Sequence, residues 1–339
     1  MLIGIIAVII FLSILILVHE VGHFLAAKKF GLLVEEFGFG LPPRIWGKKI
    51  GETIYSINAL PFGGFVKIFG EDGLEEQGKK GSFTSLKIWK RSLILFAGVF
   101  MNFLLGWLVI SIVFSIGIPK AILITEVVPD SPAAEIGLIA GDKITNFSEL
   151  DEFIKYINDN QGKTVNLEVE RLGEVFSIQA VPRIDPPEGQ GALGIALVEG
   201  GLPKMGLFSS FYEGLRTSVE IIKGIAVAIF SLLKSAFVGE ATLESVAGPV
   251  GIVKITAQAS SLGFIYLLQL LALISLNLAV INIIPFPALD GGRLLFLVIE
   301  KIKGSPLNPK FERLANAAGM ALLLLLMFLI TVKDISRFF

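Results

Sequence analysis

The two histidines of this 339-residue chain, His19 and His23, stand four positions apart, with Glu20 directly after the first. They fall inside an apolar run from Leu2 to Ala27 that carries ionisable groups only at these three positions. A run of that length reads as a membrane helix. On a helix, residues i and i+4 share a face, so both imidazoles can reach one cation. Two helical histidines and a glutamate are the parts of a zinc hydrolase: two metal ligands and the base that takes a proton from acidified water. A pair of core histidines satisfied by their neighbours is the competing reading of the same spacing. The apolar setting favours the first reading, because ionisable groups at membrane depth are costly and usually mark function.

Composition agrees with the membrane assignment. Hydrophobic residues make up 53% of the chain and charged residues 17%, with a mean hydropathy of +0.76. Soluble domains do not have this balance. A net charge of −1 gives no electrostatic reason to expect nucleic acid as a partner. The absence of cysteine excludes thiolate metal sites, disulfides and thiol catalysis. Met1-Leu2-Ile3-Gly4 has no basic segment ahead of the apolar run, which argues for a retained helix over a cleaved signal peptide.

In chain order, residues 1–118 are expected to hold the metal motif, a connecting loop and a second span from about Ser92 to Ile118. The motif sits roughly 10 Å inside the Lys28 boundary at the helical rise per residue. Lys28, Lys29, Lys87, Lys90 and Arg91 flank the loop and place it in the cytoplasm. Within it, Glu52 to Ile57 and Phe65 to Phe69 read as two short strands around the tip Asn58 to Gly64, either a hairpin whose apolar tip dips toward the membrane or a plain surface hairpin. Asn102 is the one strongly polar residue of the second span.

Residues 119–200 change character and read as a small α/β domain outside the membrane. A strand from Ala121 to Val128 leads to Ser131, a good helix cap with Pro132 at the first helical position, and Gly137 is the stop. Gly141-Asp142 makes a turn, Glu149 to Asn158 an amphipathic helix, and Val165 to Arg171 with Glu174 to Val181 a hairpin across Leu172-Gly173. The run Val128 to Ile144 resembles a bacterial PDZ domain, and Gly191 to Ile195 resembles the carboxylate-binding loop of a circularly permuted one. Such a domain would take a peptide or protein C-terminus as partner.

Residues 201–260 include Gly214 to Val238, where Arg216, Glu220, Lys223 and Lys234 interrupt an apolar stretch. An interfacial amphipathic helix in contact with lipid fits those charges. Residues 261–339 hold a third span from about Leu262 to Ile284 and a last one from about Ala315 to Val332. Between them, two prolines and two glycines around Asp290 cannot continue a helix. Broken backbone at membrane depth is tolerated where it lines a buried or watery site.

Catalytic zinc usually has three protein ligands, and two histidines leave it one short. With four spans and the amino terminus outside, the first and third helices run in the same direction. Asp290 then lies near the cytoplasmic end of its helix, at the depth of His19 and His23. Lys301, Lys303, Lys310 and Arg313 follow it and carry the same cytoplasmic signature. A fifth span at 214–238 would move Asp290 to the opposite face.

His19-Glu20-x-x-His23, the outside PDZ-like domain and Asn282-x-x-Pro285-x-Pro287-x-Leu289-Asp290-Gly291 together resemble the site-2 protease family of intramembrane zinc proteases, in particular the bacterial regulator-of-sigma-E protease group. Phe37 to Gly40, Gly63 to Lys67 and Gly248 to Ile252 are similar to further family motifs, and Gly63 to Lys67 to its membrane-reentrant hairpin. Val99 departs from the proline usual there, and one PDZ-like module stands where many relatives have two.

The resemblance implies a polytopic α-helical protein of the bacterial inner membrane. Four transmembrane helices would carry a membrane-associated β-hairpin and one inserted, circularly permuted PDZ-like α/β domain. Both termini and that domain would be extracytoplasmic. It further implies Zn²⁺ as cofactor on His19, His23 and Asp290, Glu20 as catalytic base, and Asn282 hydrogen-bonding the substrate or the developing oxyanion. The substrates implied are single-pass membrane proteins such as anti-sigma factors or signal-peptide remnants. The alternative is a non-enzymatic membrane-anchored PDZ scaffold, which would bind no zinc through these residues. A metalloprotease with a downstream glutamate as third ligand and a transporter with broken helices are further alternatives, and no internal repeat supports the transporter.

Overall fold

The computed structural model describes residues 2–71, 79–171, 173–187, 189–239 and 247–338. The apolar run forms α1 (Leu2–Lys29), with Lys28 and Lys29 in its last turn, where the negative end of the helix favours cations. Two long strands follow, β1 (Val34–Ile50) and β2 (Thr53–Ile68), and then α2 (Ile88–Ile116). The middle of the chain holds β3 (Ile118–Val127), α3 (Pro132–Glu135), β4 (Lys143–Ile144), α4 (Leu150–Asp159), β5 (Val165–Arg171), β6 (Glu174–Ala180) and β7 (Ile195–Leu202). The rest is helical: α5 (Leu207–Val238), α6 (Pro249–Leu262), α7 (Phe264–Ile283), α8 (Asp290–Lys303) and α9 (Pro309–Phe338).

Among the described residues, four helices are long and apolar enough to cross a membrane: Gly4–Lys29, Ile88–Ile116, Phe264–Ile283 and Pro309–Ser336. The chain is a multi-pass membrane protein. Helix α5 is not one of the four, and Arg216 and Glu220 form an exposed i,i+4 ion pair at 3.2 Å on it.

The chain divides into two compact units. One comprises Ile110–Gly214 with Ala257–Gln269. Its antiparallel sheet has the order β6-β5-β4-β3-β7, so the last strand of the module lies beside the first. Alternation decides the burial of β5: Val165, Leu167 and Val169 face a core completed by Ile122, Ile124 and Ile144. Phe153 and Ile157, one helical turn apart on α4, join the same core. Ser131 caps α3, its side chain accepting from the Ala134 amide at 3.2 Å. Asp142 is fully buried but not alone: it accepts from the Ile139 amide, and both of its oxygens meet the Arg171 guanidinium at 2.7 Å. Strands β5 and β6 pair down to Arg171 opposite Glu174, and Leu172 of the expected turn lies outside the described residues.

The other unit comprises Met1–Val109, Leu215–Thr256 and Leu270–Phe339. Here the expected hairpin is corrected. Glu52 to Ile57 and Phe65 to Phe69 are not two strands around a tip at 58–64. Thr53–Ile68 is continuous, the turn is at Gly51-Glu52, and the partner is β1. Pro42-Pro43 and the glycines of Phe37 to Gly40 hid β1, because neither residue type favours a strand interior. Glu36 to Phe39 each face two stretches of β2, Ile54 to Ile57 and Gly64 to Lys67. In the register, Gly64 to Ile68 is therefore paired along one side only. Ala27, Leu32, Val34, Ile68, Ile94, Leu95 and Leu297 form a buried cluster that joins α1, the sheet, α2 and α8.

The break after α7 is also shorter than the sequence suggests. Gly291 and Gly292 do not prolong it; the helix resumes at Asp290 with both glycines in its first turn. A Cβ on Gly291 would run into the carbonyl oxygens of Ile283 and Ile284, and one on Gly292 into that of Phe286. Bare backbone thus lets α8 start folded tightly against the loop that precedes it.

Candidate metal centre

His19 and His23 lie on α1, on the face turned toward α2 and the start of α8, and each is 8% exposed. Nε2 of His19 is 2.9 Å from Oδ2 of Asp290, and Nε2 of His23 is 3.4 Å from the same oxygen. The two Nε2 atoms are 3.1 Å apart. Three nitrogen and oxygen ligands placed tetrahedrally at zinc bond lengths stand about 3.3 Å from one another. The observed spacings fall around that value. Among the described residues, these three make the one group of His, Cys, Asp or Glu side chains able to hold a metal ion.

Three further observations fit a cation at their centre. Oδ2 of Asp290 is buried, and among the described residues only the two imidazoles face it. Burying a carboxylate oxygen in that way is costly unless a positive charge meets it. Nδ1 of His23 donates to the backbone carbonyl of Ile94 at 2.8 Å, which leaves its Nε2 lone pair for a ligand bond. Gly98 of α2 faces the pair: a Cβ there would stand 2.8 Å from Cε1 of His19 and closer still to Nε2 of His23. The chain is bare where a side chain would fill the metal position.

Asp290 reaches this point because α8 begins there. Its carboxylate sits in the first turn, where the positive end of the helix favours a negative charge. Just upstream, Ala288 has φ of +76°, a strained conformation for a residue with a Cβ, and its amide donates to Oδ1 of Asn316 on α9 at 3.1 Å.

Glu20, next to His19, lines a cleft of about 220 Å³ with the two histidines, Asp290, Phe65, Val66, Ile68, Glu71 and Arg293. Phe65, Val66 and Ile68, which line the cleft, belong to the stretch of β2 whose register partners all lie on β1. An ion pair joins Glu71 to Arg293. Both also line a second cavity of about 570 Å³, whose mixed lining includes Arg91, Glu300, Glu312 and Asn316 beside Phe83, Phe296 and Leu297. The structure thus brings together His19, Glu20, His23 and Asp290. It does not bring Asn282 to the cleft lining, and this residue sits partly exposed in the last turn of α7.

Sequence reasoning missed the Ile94 carbonyl, Glu71 and Arg293. A backbone acceptor has no signature in sequence. Asn102 had one, as a lone amide in an apolar span, and it lies 3.3 Å from His19.

The chain matches the model of a family described as peptidase family M50 over residues 7–326. A Clostridium perfringens protein with a zinc-metalloprotease name is 37% identical, covering 95% of this chain and 96% of that protein. The zinc metalloprotease RasP of Shouchella clausii is 32% identical over 96% of this chain and 97% of its own length. The regulator of sigma-W protease RasP of Bacillus subtilis is 30% identical over 99% of each.

Proposed function

Because the chain belongs to peptidase family M50, the site-2 protease family, and is a zinc metalloprotease, we propose that it cuts single-pass membrane proteins within the bilayer. The observation that carries this reading is that two members of the ligand cluster, His19 and His23, lie on a helix long and apolar enough to be a membrane span, with Asp290 closing on them from the start of α8. The name of the Bacillus relative supports a membrane-bound regulator of a sigma factor as the substrate class. In this reading His19, His23 and Asp290 hold the zinc. When bound, zinc supplies a Lewis acid that polarises a peptide carbonyl and acidifies water.

Glu20 takes a proton from the attacking water and passes it to the leaving nitrogen as the C–N bond breaks. A substrate helix hides its peptide bonds and must unwind first. The one-sided edge of β2 at Gly64 to Ile68 supports the extended segment by strand addition beside the metal. The cavity that shares Glu71 and Arg293 with the cleft supplies water to the site.

The proposed topology follows from four spans and the basic residues around 28–29, 87–91 and 301–313: both termini outside, with the metal near the cytoplasmic face. Reconstitution in liposomes with zinc and a single-pass substrate, with the cut mapped by mass spectrometry, tests the reading. We expect one cut in or beside the apolar segment. Cleavage confined to the soluble flanks would sink the intramembrane assignment.

The α/β module we assign as a PDZ-like filter, on its Ser131-Pro132 cap, its Gly191 to Ile195 loop and the pairing of β7 with β3. None of the proposed ligands lies in it. Deleting residues 121–199 is expected to leave zinc content unchanged, and cleavage of a short substrate should persist or rise. Discrimination against a substrate with a bulky outside domain should weaken, because specificity needs an element acting against the wrong partner. Equal proportional loss on both substrates, at equal zinc occupancy, would reduce the module to a folding aid.

A further inference from the structure

Asn102 is a deeply buried polar side chain beside the metal position, at 1% exposure in the middle of α2. Its Nδ2 lies 3.3 Å from Nδ1 of His19, and its Oδ1 is buried with no hydrogen-bond partner. The backbone holds it there: Ser275 on α7 donates its hydroxyl to the Asn102 carbonyl at 2.7 Å, and both residues are buried. An unpaired amide oxygen in an apolar bundle is costly, so this position needs a reason.

Tautomer chemistry supplies one. A neutral imidazole has one N–H and one lone pair, and a ligand nitrogen must carry the lone pair. For His23 the Ile94 carbonyl can only accept, which fixes the proton on Nδ1 and frees Nε2. Among the described residues no carbonyl pairs with Nδ1 of His19, and Asn102 stands in the equivalent place. Its amide carries a donor at one end and an acceptor at the other, and a half-turn exchanges them. With Nδ2 toward His19, Nδ1 accepts and the ring proton sits on Nε2, aimed at Asp290 Oδ2 at 2.9 Å. With Oδ1 toward His19, Nδ1–H donates and Nε2 is free for zinc.

We propose that Asn102 is a positioning residue that holds His19 in the zinc-binding tautomer through its side-chain oxygen. Outer-shell partners of histidine ligands orient the ring and raise its affinity for the metal. This inference rests on the zinc reading above, and the test separates the two.

The chain has two histidines, so protein labelled with ¹⁵N in the imidazoles gives signals from these two rings alone. Zinc affinity is measured in parallel by competition with a chelator, for wild type, Asn102→Leu and Asn102→Asp. Leucine keeps the volume but accepts nothing, whereas aspartate keeps the acceptor. Asn102→Leu should weaken zinc binding by about 10-fold or more and shift the His19 resonances while those of His23 stay in place. Asn102→Asp should stay within about 3-fold of wild type, less than the loss of an outer-shell partner. Wild-type affinity and an unshifted His19 in Asn102→Leu would overturn the inference, as would an equal loss in both variants. Should Asn102→Leu fail to fold, retained affinity in Asn102→Asp supports the inference and a loss of 10-fold or more overturns it. A wild type that binds no zinc would instead remove the zinc reading itself.

Discussion

Glu20→Gln is expected to abolish proteolysis while leaving zinc bound. Glu20 lies in the same cleft as the three proposed ligands but is not one of the cluster able to hold the ion. Glutamine keeps the size and hydrogen-bonding reach of the side chain and removes its basicity. A positioned general base contributes about 10²- to 10⁴-fold, so kcat/KM should fall by at least about 100-fold at unchanged metal content. Zinc per protein and cleavage of a model transmembrane substrate are read on the same preparation. Residual cleavage within a factor of about ten of wild type would take the base role from Glu20. Loss of zinc together with activity would instead make Glu20 a part of the ligand set.

Asp290→Ala should act on the metal itself. Oδ2 of Asp290 faces both Nε2 atoms, so its removal leaves two ligands where catalytic sites have three. Zinc affinity is expected to drop beyond the roughly 10- to 100-fold typical of outer-shell losses, and activity with it. The contrast with Glu20→Gln is the informative part: one variant is inert and loaded, the other inert and empty. Full zinc occupancy in Asp290→Ala would hand the third position to another carboxylate, and Glu20 in the same cleft would be the first to examine. In that outcome the loop from Ile284 to Leu289, held by Asn316, would need a different purpose.

Local pattern by itself determined the parts of this protein whose physics is local. Spacing puts His19 and His23 on one face of α1, because a helix repeats every 3.6 residues whatever packs against it. Apolar length marks the four long helices, since a membrane leaves the backbone no partner but itself. The Ser131-Pro132 start of α3 and the alternation of β5 were legible for the same reason. The direction of the first and third apolar helices even suggested that Asp290 lies at the depth of the histidines.

Tertiary structure decided what depends on partners distant in the chain. Strand β1 has a poor strand sequence, with two prolines and several glycines, and exists because β2 pairs with it. The glycines after Asp290 looked like a continued break. They are helical because only packing reveals that a Cβ there would strike the carbonyls of Ile283, Ile284 and Phe286. The convergence of two imidazoles and a carboxylate within hydrogen-bond distance is set by how α1, α2 and α8 pack. So are the Ile94 carbonyl on His23 and the Asn102 amide on His19, which are 71 and 83 residues from the rings they face. A backbone oxygen is chemically the same at every position, and only its place in the folded protein makes it a partner for a histidine.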